Sequence, residues 1–368
     1  MAPDRPVGVG LIGCGTIGQV HAACLGQLVE EGVVRAVAAA DLSESARAAA
    51  DRNARGFVRL QTDAQAVIDD DEVEAVLIAS PTATHRDLVL ATVAAGKPLL
   101  CEKPLAPTFP VVREMHDAVA ASGLTAQVGF HSRFHYLFDA MKDLVVSGEL
   151  GAPMGYVLRE DQFWPTGEIV PGHSSWRSDR SQAGGGALLE HTIHGADVVS
   201  WLFGPPTSVY ARTRSLFGYD VEDVAAVTVE HESGVIGTVL TVFNGVRGRE
   251  ERRLEVFFEQ AAVEMTADFM VGAPEDGLMI QRPGIEAERP DLEALRAEHW
   301  RKLGATRADV WFYLYFGARE WARAAREGRA ASPGFPDALV AHALVEAAYR
   351  SAATDGPVTL DGDLAVNR

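Results

Sequence analysis

The segment VGVGLIGCGTIGQVHAACLGQLVEE (7–31) decides the first fold. It runs from an apolar stretch, Val7 to Ile12, through Gly13, Gly15 and Gly18 in the spacing G-x-G-x-x-G, into a helix-like stretch from Gln19 to Glu31. Strand, glycine loop and helix in that order open a dinucleotide-binding βαβ unit. The first glycine permits the tight turn, the second lets the backbone approach a pyrophosphate, and the third lets helix and strand pack closely. The helix N-terminus attracts the anion. The loop residues Gly13, Gly15, Thr16, Ile17 and Gly18 are therefore candidate nucleotide contacts.

Outward from this loop, the runs VVRAVAAA (33–40), VEAVLIAS (73–80), PLLC (98–101) and LTAQVGF (124–130) are nearly continuously apolar, as buried parallel strands are. Ala-rich segments with charged faces separate them. This rhythm predicts an α/β fold, a doubly wound parallel sheet of Rossmann type over residues 1–130. Asp41 closes the second strand, about 20 residues past the loop, where a carboxylate accepts bonds from adenine ribose hydroxyls and repels a 2′-phosphate. That favours NAD; Ser43 and Arg47 nearby keep NADP as the alternative, and a helix N-cap is the rival reading of Asp41.

Ligands of open α/β sheets bind outside the carboxyl ends of strands. Ser80, Pro81, Thr82 and His85 follow one such end and are candidate cofactor contacts, with Pro81 as a helix start and His85 as a solvated first-turn residue the rival readings. Glu102, Lys103 and Pro104 follow another. Glu102 is a cofactor-side candidate, and the Lys103 ammonium is suited to hydrogen-bond a substrate hydroxyl and stabilise it as its proton leaves.

Past Phe130 the rhythm changes to long alternating runs, 154–164, 224–243 and 254–267, with Ser233-Gly234 as a hairpin turn. Residues 131–368 are predicted to form an α+β domain around a large, mostly antiparallel open sheet. Helices are expected over 137–147, 308–328 (stopped by Gly328) and 337–353, with Trp311, Phe312, Tyr315 and Trp321 as core. Gly184-Gly185-Gly186 precedes a helix-like run, 187–204, on which Glu190 and His194 are four apart and share a face, with Asp197 one turn on. His194 is a candidate base, with Glu190 or Asp197 fixing its tautomer. The triple glycine is read as close approach of another molecule, and a surface helix of mixed charge is the rival. His191 points away from His194. Two ligands on one face are too few for a catalytic zinc site, so no metal is expected. Arg133, Trp164, His173, Trp176 and Arg177 are candidate substrate-pocket residues, since an aromatic face suits a sugar ring and Arg donors suit its oxygens; core or interface packing is the alternative for each.

Composition bounds the function. The 368 residues suit two domains, and 47% hydrophobic against 23% charged is globular. No stretch reaches the ~20 apolar residues of a membrane span. A net charge of −18 repels phosphate backbones and disfavours nucleic acid. Cys14, Cys24 and Cys101 lack zinc-type spacing and read as free thiols; with no secretory pattern at the N-terminus, the expected compartment is the cytoplasm.

Taken together, GLIGCGTIG (10–18), IASPTATH (78–85), CEKPLA (101–106), VGFHSRF (128–134), GGGALLEHTIHGAD (184–197) and AAYRSAATDGPVTL (347–360) resemble the Gfo/Idh/MocA family of sugar and polyol oxidoreductases. The resemblance implies hydride transfer between NAD(P) and a secondary alcohol carbon of a sugar, cyclitol or sugar derivative. It implies that Lys103 matches the family's Glu-Lys-Pro lysine and His194 its catalytic histidine, with Glu190 where many members carry aspartate. It further implies an open C-terminal sheet that serves as an oligomer interface in homodimers or homotetramers. Two other readings remain: redox-neutral glycoside cleavage or epimerisation through a keto sugar with NAD retained, and a non-catalytic nucleotide sensor.

Overall fold

A computed structural model describes residues 5–164, 175–246, 250–267, 275–305, 307, 309, 310 and 312–366. The chain divides into two compact units, Met1–His131 with Phe312–Leu339, and Ser132–Trp311 with Val340–Arg368.

The first unit alternates β1 (Val7–Ile12), α1 (Thr16–Glu30), β2 (Val34–Ala40), α2 (Glu44–Asn53), β3 (Arg59–Gln61), α3 (Ala64–Ile68), β4 (Ala75–Ile78), α4 (His85–Ala94), β5 (Leu99–Cys101), α5 (Phe109–Ser122) and β6 (Ala126–Val128). The strands are all parallel, in the order β3-β2-β1-β4-β5-β6. This is the doubly wound arrangement, whose order reverses between β1 and β4 and opens a crevice at their carboxyl ends. Every residue of β1, β4, β5 and β6 is buried, which is why their apolar runs stand out in the sequence. β3 has no counterpart among the apolar runs, because it is a half-exposed edge strand.

The second unit contains α6 (Tyr136–Ser147), β7 (Pro153–Phe163), α7 (Arg180–Ala183), a π-helical turn (Ala187–His191), α8 (Ile193–Phe203), β8 (Pro206–Arg214), β9 (Val224–His231), β10 (Ile236–Asn244), β11 (Glu251–Phe258), β12 (Ala262–Ala267), β13 (Gly277–Gln281) and α9 (Leu292–Lys302). After these come α10 (Leu314–Glu327), α11 (Phe335–Thr354) and β14 (Val358–Thr359). The sheet runs β13-β12-β11-β7-β10-β9-β8-β14, antiparallel except for the β7–β10 pair. At the β9–β10 hairpin His231 N–H donates to Val235 O across 3.0 Å, and Gly234 takes φ 84°, the conformation expected of that turn. Residues of β9 and β10 alternate between buried and more exposed positions. Val227, Val229, Val239 and Phe243 are buried, while Val157, Tyr210, Ile236, Leu240 and Phe257 lie exposed on the opposite face. Among the described residues no helix is long and apolar enough to cross a membrane.

The break between units falls after His131 and Phe312–Leu339 returns to the first unit, where the sequence alone predicts a single boundary at 130. The cause is α10, whose Leu314, Tyr315, Ala318, Trp321 and Ala322 are buried. It packs on α1, β1 and β6, and Gln127 Nε2 in β6 donates to the Gly317 carbonyl at 2.9 Å. Helical periodicity shows that a face is buried but does not say against which sheet. Tyr315 and Trp321 are core, as expected; Trp311 lies outside the described residues.

Candidate functional site

The three glycines of the first loop have three different reasons to be glycine. Gly13 sits at φ 92°, and a Cβ there would lie 2.6 Å from the Ala79 and Ser80 backbone; one on Gly18 would lie 2.1 Å from the Gly13 carbonyl oxygen. A Cβ on Gly15 meets nothing within 4 Å among the described residues. Two glycines thus serve the chain's own packing, and the third leaves an open cradle that fits a pyrophosphate. Gly15 is also the N-cap of α1, with no side-chain acceptor on the first amides, so these point their N–H groups where an anion would sit. Thr16 is exposed and Ile17 half-buried beside them.

Asp41 is half-buried at the end of β2 and braces this loop. Its Oδ2 accepts from Cys14 N and its Oδ1 from Ser43 N, both at 2.8 Å. The N-cap of α2 is Ser43, so the N-cap reading of Asp41 gives way to a carboxylate fixed beside the glycine loop. Arg47 donates to the Asp41 carbonyl. Burial and then the Asp41 charge push the Cys14 thiol up to about 12, so it stays neutral.

At the end of β4, Ser80 Oγ meets Thr84 Oγ1 at 2.7 Å, Pro81 is exposed, and Thr82 is buried in a short 3-10 turn. His85 is not the solvated residue its first-turn position suggested. It is buried, with Nδ1 3.0 Å from Pro104 O and Nε2 2.8 Å from Ser80 O, and so ties two strand-end loops together. Burial lowers its pKa, against the pull of these two carbonyls.

At the end of β5, Glu102 N donates to Ile78 O at 2.9 Å, and half-buried Lys103 follows. The Glu102 side chain is buried and turned inward. Its Oε2 accepts from Lys103 N at 3.1 Å, and its Oε1 lies 2.6 Å from Nε2 of His21, a buried residue of α1 that the sequence reading did not single out.

In the second unit the helix expected over 187–204 is two pieces. Thr192 N bonds to Ala187 O, a π-helical turn through Glu190 and His191, and α8 then carries His194 and Asp197. Nearly all of α8 is buried, so the surface-helix reading is excluded. The close approach that the triple glycine permits is intramolecular: a Cβ on Gly185 would lie 2.0 Å from the Tyr349 hydroxyl, and one on Gly186 would lie 1.7 Å from the Glu222 carbonyl oxygen. This corrects the expectation of an approaching ligand there. Glu222 and Tyr349 have no local sequence signal, because their partners are distant in the chain.

Asp197 is held by Arg133 through two bonds, Nε to Oδ2 at 2.8 Å and Nη2 to Oδ1 at 2.6 Å, so this candidate pocket arginine is engaged in a buried fork with a carboxylate. Glu190, buried, meets Arg177 Nε through Oε2 at 3.3 Å, and the Arg177 guanidinium lies 4.4 Å above the Trp176 ring. Of the sequence candidates in this unit, the structure thus brings together Glu190, Arg177 and Trp176, and separately Arg133 and Asp197. Trp164 is fully buried against Ala187, Val221 and Phe243; packing, not a pocket wall, is its role here. His173 lies outside the described residues. His194 and His191 are buried, and the His191 ring lies 6.1 Å from that of Phe243.

Residues 7–130 match the profile of the oxidoreductase family with the NAD-binding Rossmann fold, and residues 138–264 match the GFO/IDH/MocA C-terminal domain. Inositol 2-dehydrogenase of Acidothermus cellulolyticus is 30% identical over 364 residues, covering 97% of this chain and 96% of its own. Levoglucosan dehydrogenase of Pseudarthrobacter phenanthrenivorans is 26% identical, covering 95% of this chain and 98% of its own. A solved structure of levoglucosan dehydrogenase with NADH and levoglucosan superposes with a TM-score of 0.85 at 23% identity, covering 97% of this chain and 100% of that one, a likeness of fold.

Proposed function

Since the chain belongs to the GFO/IDH/MocA family of NAD-dependent sugar and polyol oxidoreductases, we propose that it reversibly oxidises a secondary alcohol carbon of a cyclic polyol or sugar, with Lys103 and His194 as its acid–base pair. The observation that carries this reading is the placement of Lys103. It leaves the carboxyl end of β5, on the edge of the parallel sheet where β1 presents the open Gly15 cradle. Relatives named for inositol, levoglucosan and 1,5-anhydro-D-fructose support a polyhydroxylated substrate.

The glycine loop and Asp41 would hold NAD, which when bound supplies the hydride acceptor. The Lys103 ammonium donates to the reacting oxygen and stabilises it as charge builds. His194 takes the hydroxyl proton, and Glu190, anchored by Arg177, supplies the carboxylate that orients the imidazole or a substrate hydroxyl. The exposed apolar face of the second sheet supports a homodimer or homotetramer in which a second copy covers it.

Reduced-nicotinamide absorbance with pooled cyclitols, aldoses and sugar acids tests the reading. Lys103→Ala and His194→Ala are each expected to lower kcat by about 10²–10⁴-fold with nucleotide binding kept. Near wild-type turnover in both would remove the assignment. Nucleotide that copurifies, does not exchange and is never reduced in any pool would move the reading to redox-neutral sugar chemistry.

A further inference from the structure

His21 and Glu102 form a buried contact that the acid–base assignment leaves unused. His21 lies on α1, five residues after Thr16 begins that helix at the glycine loop, and Glu102 lies at the end of β5, immediately before Lys103. Their side chains are 2% and 5% exposed, and Nε2 and Oε1 are 2.6 Å apart. A buried polar group without a partner is costly, so such a contact persists only where the surroundings are built for it.

They are. A Cβ on Gly129, just beyond β6, would come within 2.6–2.7 Å of the Glu102 carboxylate, so glycine there makes the room the carboxylate occupies. Gly129 N is itself fixed to Cys101 O at 2.9 Å. The second carboxylate oxygen accepts the backbone N–H of Lys103 at 3.1 Å. On the other side of the imidazole, Nδ1 is buried with no hydrogen-bond partner among the described residues. An unmet lone pair is the lesser penalty than an unmet N–H, so the proton belongs on Nε2, directed at Glu102.

We propose that His21 is a positioning residue for Lys103. Through Nε2–H it fixes the Glu102 carboxylate, and through the carboxylate's other oxygen it fixes the Lys103 peptide. The helix that starts at the nucleotide loop is thereby tied to the loop that presents the ammonium. The proposal rests on the role given to Lys103 above.

Two measurements test it, and the first does not depend on activity. In proton NMR of the full chain, the His21 Nε2–H is expected as a far-downfield, exchange-protected imidazole resonance that moves upfield in Glu102→Gln. If no imidazole resonance responds to Glu102→Gln, the contact is absent and the proposal fails. The second measurement separates turnover from binding. His21→Phe is expected to lower kcat roughly 10- to 100-fold, the scale of a small misplacement of a reacting group, while NADH affinity stays within about 3-fold. His21→Gln, whose amide nitrogen replaces the Nε2 donor, is expected to recover most of the rate, and it carries the test if the phenylalanine variant does not fold. His21→Phe combined with Glu102→Gln should be no slower than the worse single variant. Additive losses, or wild-type kcat in His21→Phe, overturn the positioning role while leaving Lys103 as assigned. Wild-type kcat in Lys103→Ala overturns both readings together.

Discussion

The Tyr349 hydroxyl donates to the Glu222 carboxylate across 2.9 Å, and the same carboxylate accepts the amides of Gly186 and Leu188, each at 2.9 Å. Helix α11 and the segment before β9 thus close on the glycine triple and cap the π-turn that leads to His194. The capping carboxylate is buried, and burial raises its pKa against the pull of these donors.

Gly186→Ala places a methyl group inside the Glu222 backbone, so it should destabilise the protein by about 1–3 kcal/mol or more. Tyr349→Phe removes one donor of three and should cost about 1–2 kcal/mol. Urea unfolding reads both. A Gly186→Ala protein as stable as wild type would show that the triple glycine serves something other than this lock.

Gly15→Ala should separate binding from folding. Its Cβ enters open space, so stability should hardly change, whereas NADH affinity should fall by about tenfold or more as the methyl group occupies the pyrophosphate approach. Gly18→Ala, which strikes the Gly13 carbonyl, should instead lose stability. Equal effects of the two on melting temperature would contradict the division of labour.

Asp41→Ser tests cofactor choice. Loss of the carboxylate should weaken NAD binding and improve NADP binding, a shift in preference of about tenfold or more. If titration with both nucleotides shows unchanged preference, Asp41 is only the brace for Cys14 and Ser43.

Burial depresses His85, His135 and His231 below the usual histidine range, against opposing hydrogen bonds from Ser80 and Pro104, Asp276, and Gly204 respectively. Between those depressed values and about 6.5 the unfolded chain binds more protons than the folded one. Their stabilisation is therefore complete above about pH 6.5 and is lost as pH falls through the folded values. At His231 the bonding agrees: Nδ1 donates to Gly204 O at 2.7 Å, leaving Nε2 to accept from Tyr156 at 3.0 Å. His231→Asn, which keeps a donor near Nδ1 but cannot titrate, should lower the acid slope of melting temperature. An unchanged slope would place the proton uptake elsewhere.

Val157→Glu with Leu240→Arg, on the exposed face of neighbouring strands β7 and β10, should reduce the mass measured by light scattering if a second copy covers that face. A mass equal to wild type would direct the search for an interface elsewhere.

Local chemistry made much of this protein readable. The glycine loop, Asp41 and the Glu102-Lys103-Pro104 strand end announce themselves because their requirements lie within a strand, a turn and a helix start. The alternating runs of the second sheet and the Gly234 hairpin are equally local. The π-turn was hidden because Glu190, His194 and Asp197 keep an ordinary α-helical spacing across it, and the run is buried almost all round, so no boundary between buried and exposed residues marks the slip. For Trp164 the sequence leaves pocket wall and core open, because composition does not distinguish them; its burial against Ala187, Val221 and Phe243 favours core.

The remaining features depend on residues far apart in the chain. His21 meets Glu102 across 81 positions and Glu222 meets Tyr349 across 127, and α10 returns from beyond residue 311 to cover the first sheet. Periodicity states that a side chain will be buried and a glycine that something will come close. The partner is selected only when strands pair and helices pack, since close packing and hydrogen-bond satisfaction are properties of the assembled interior and not of any segment in it.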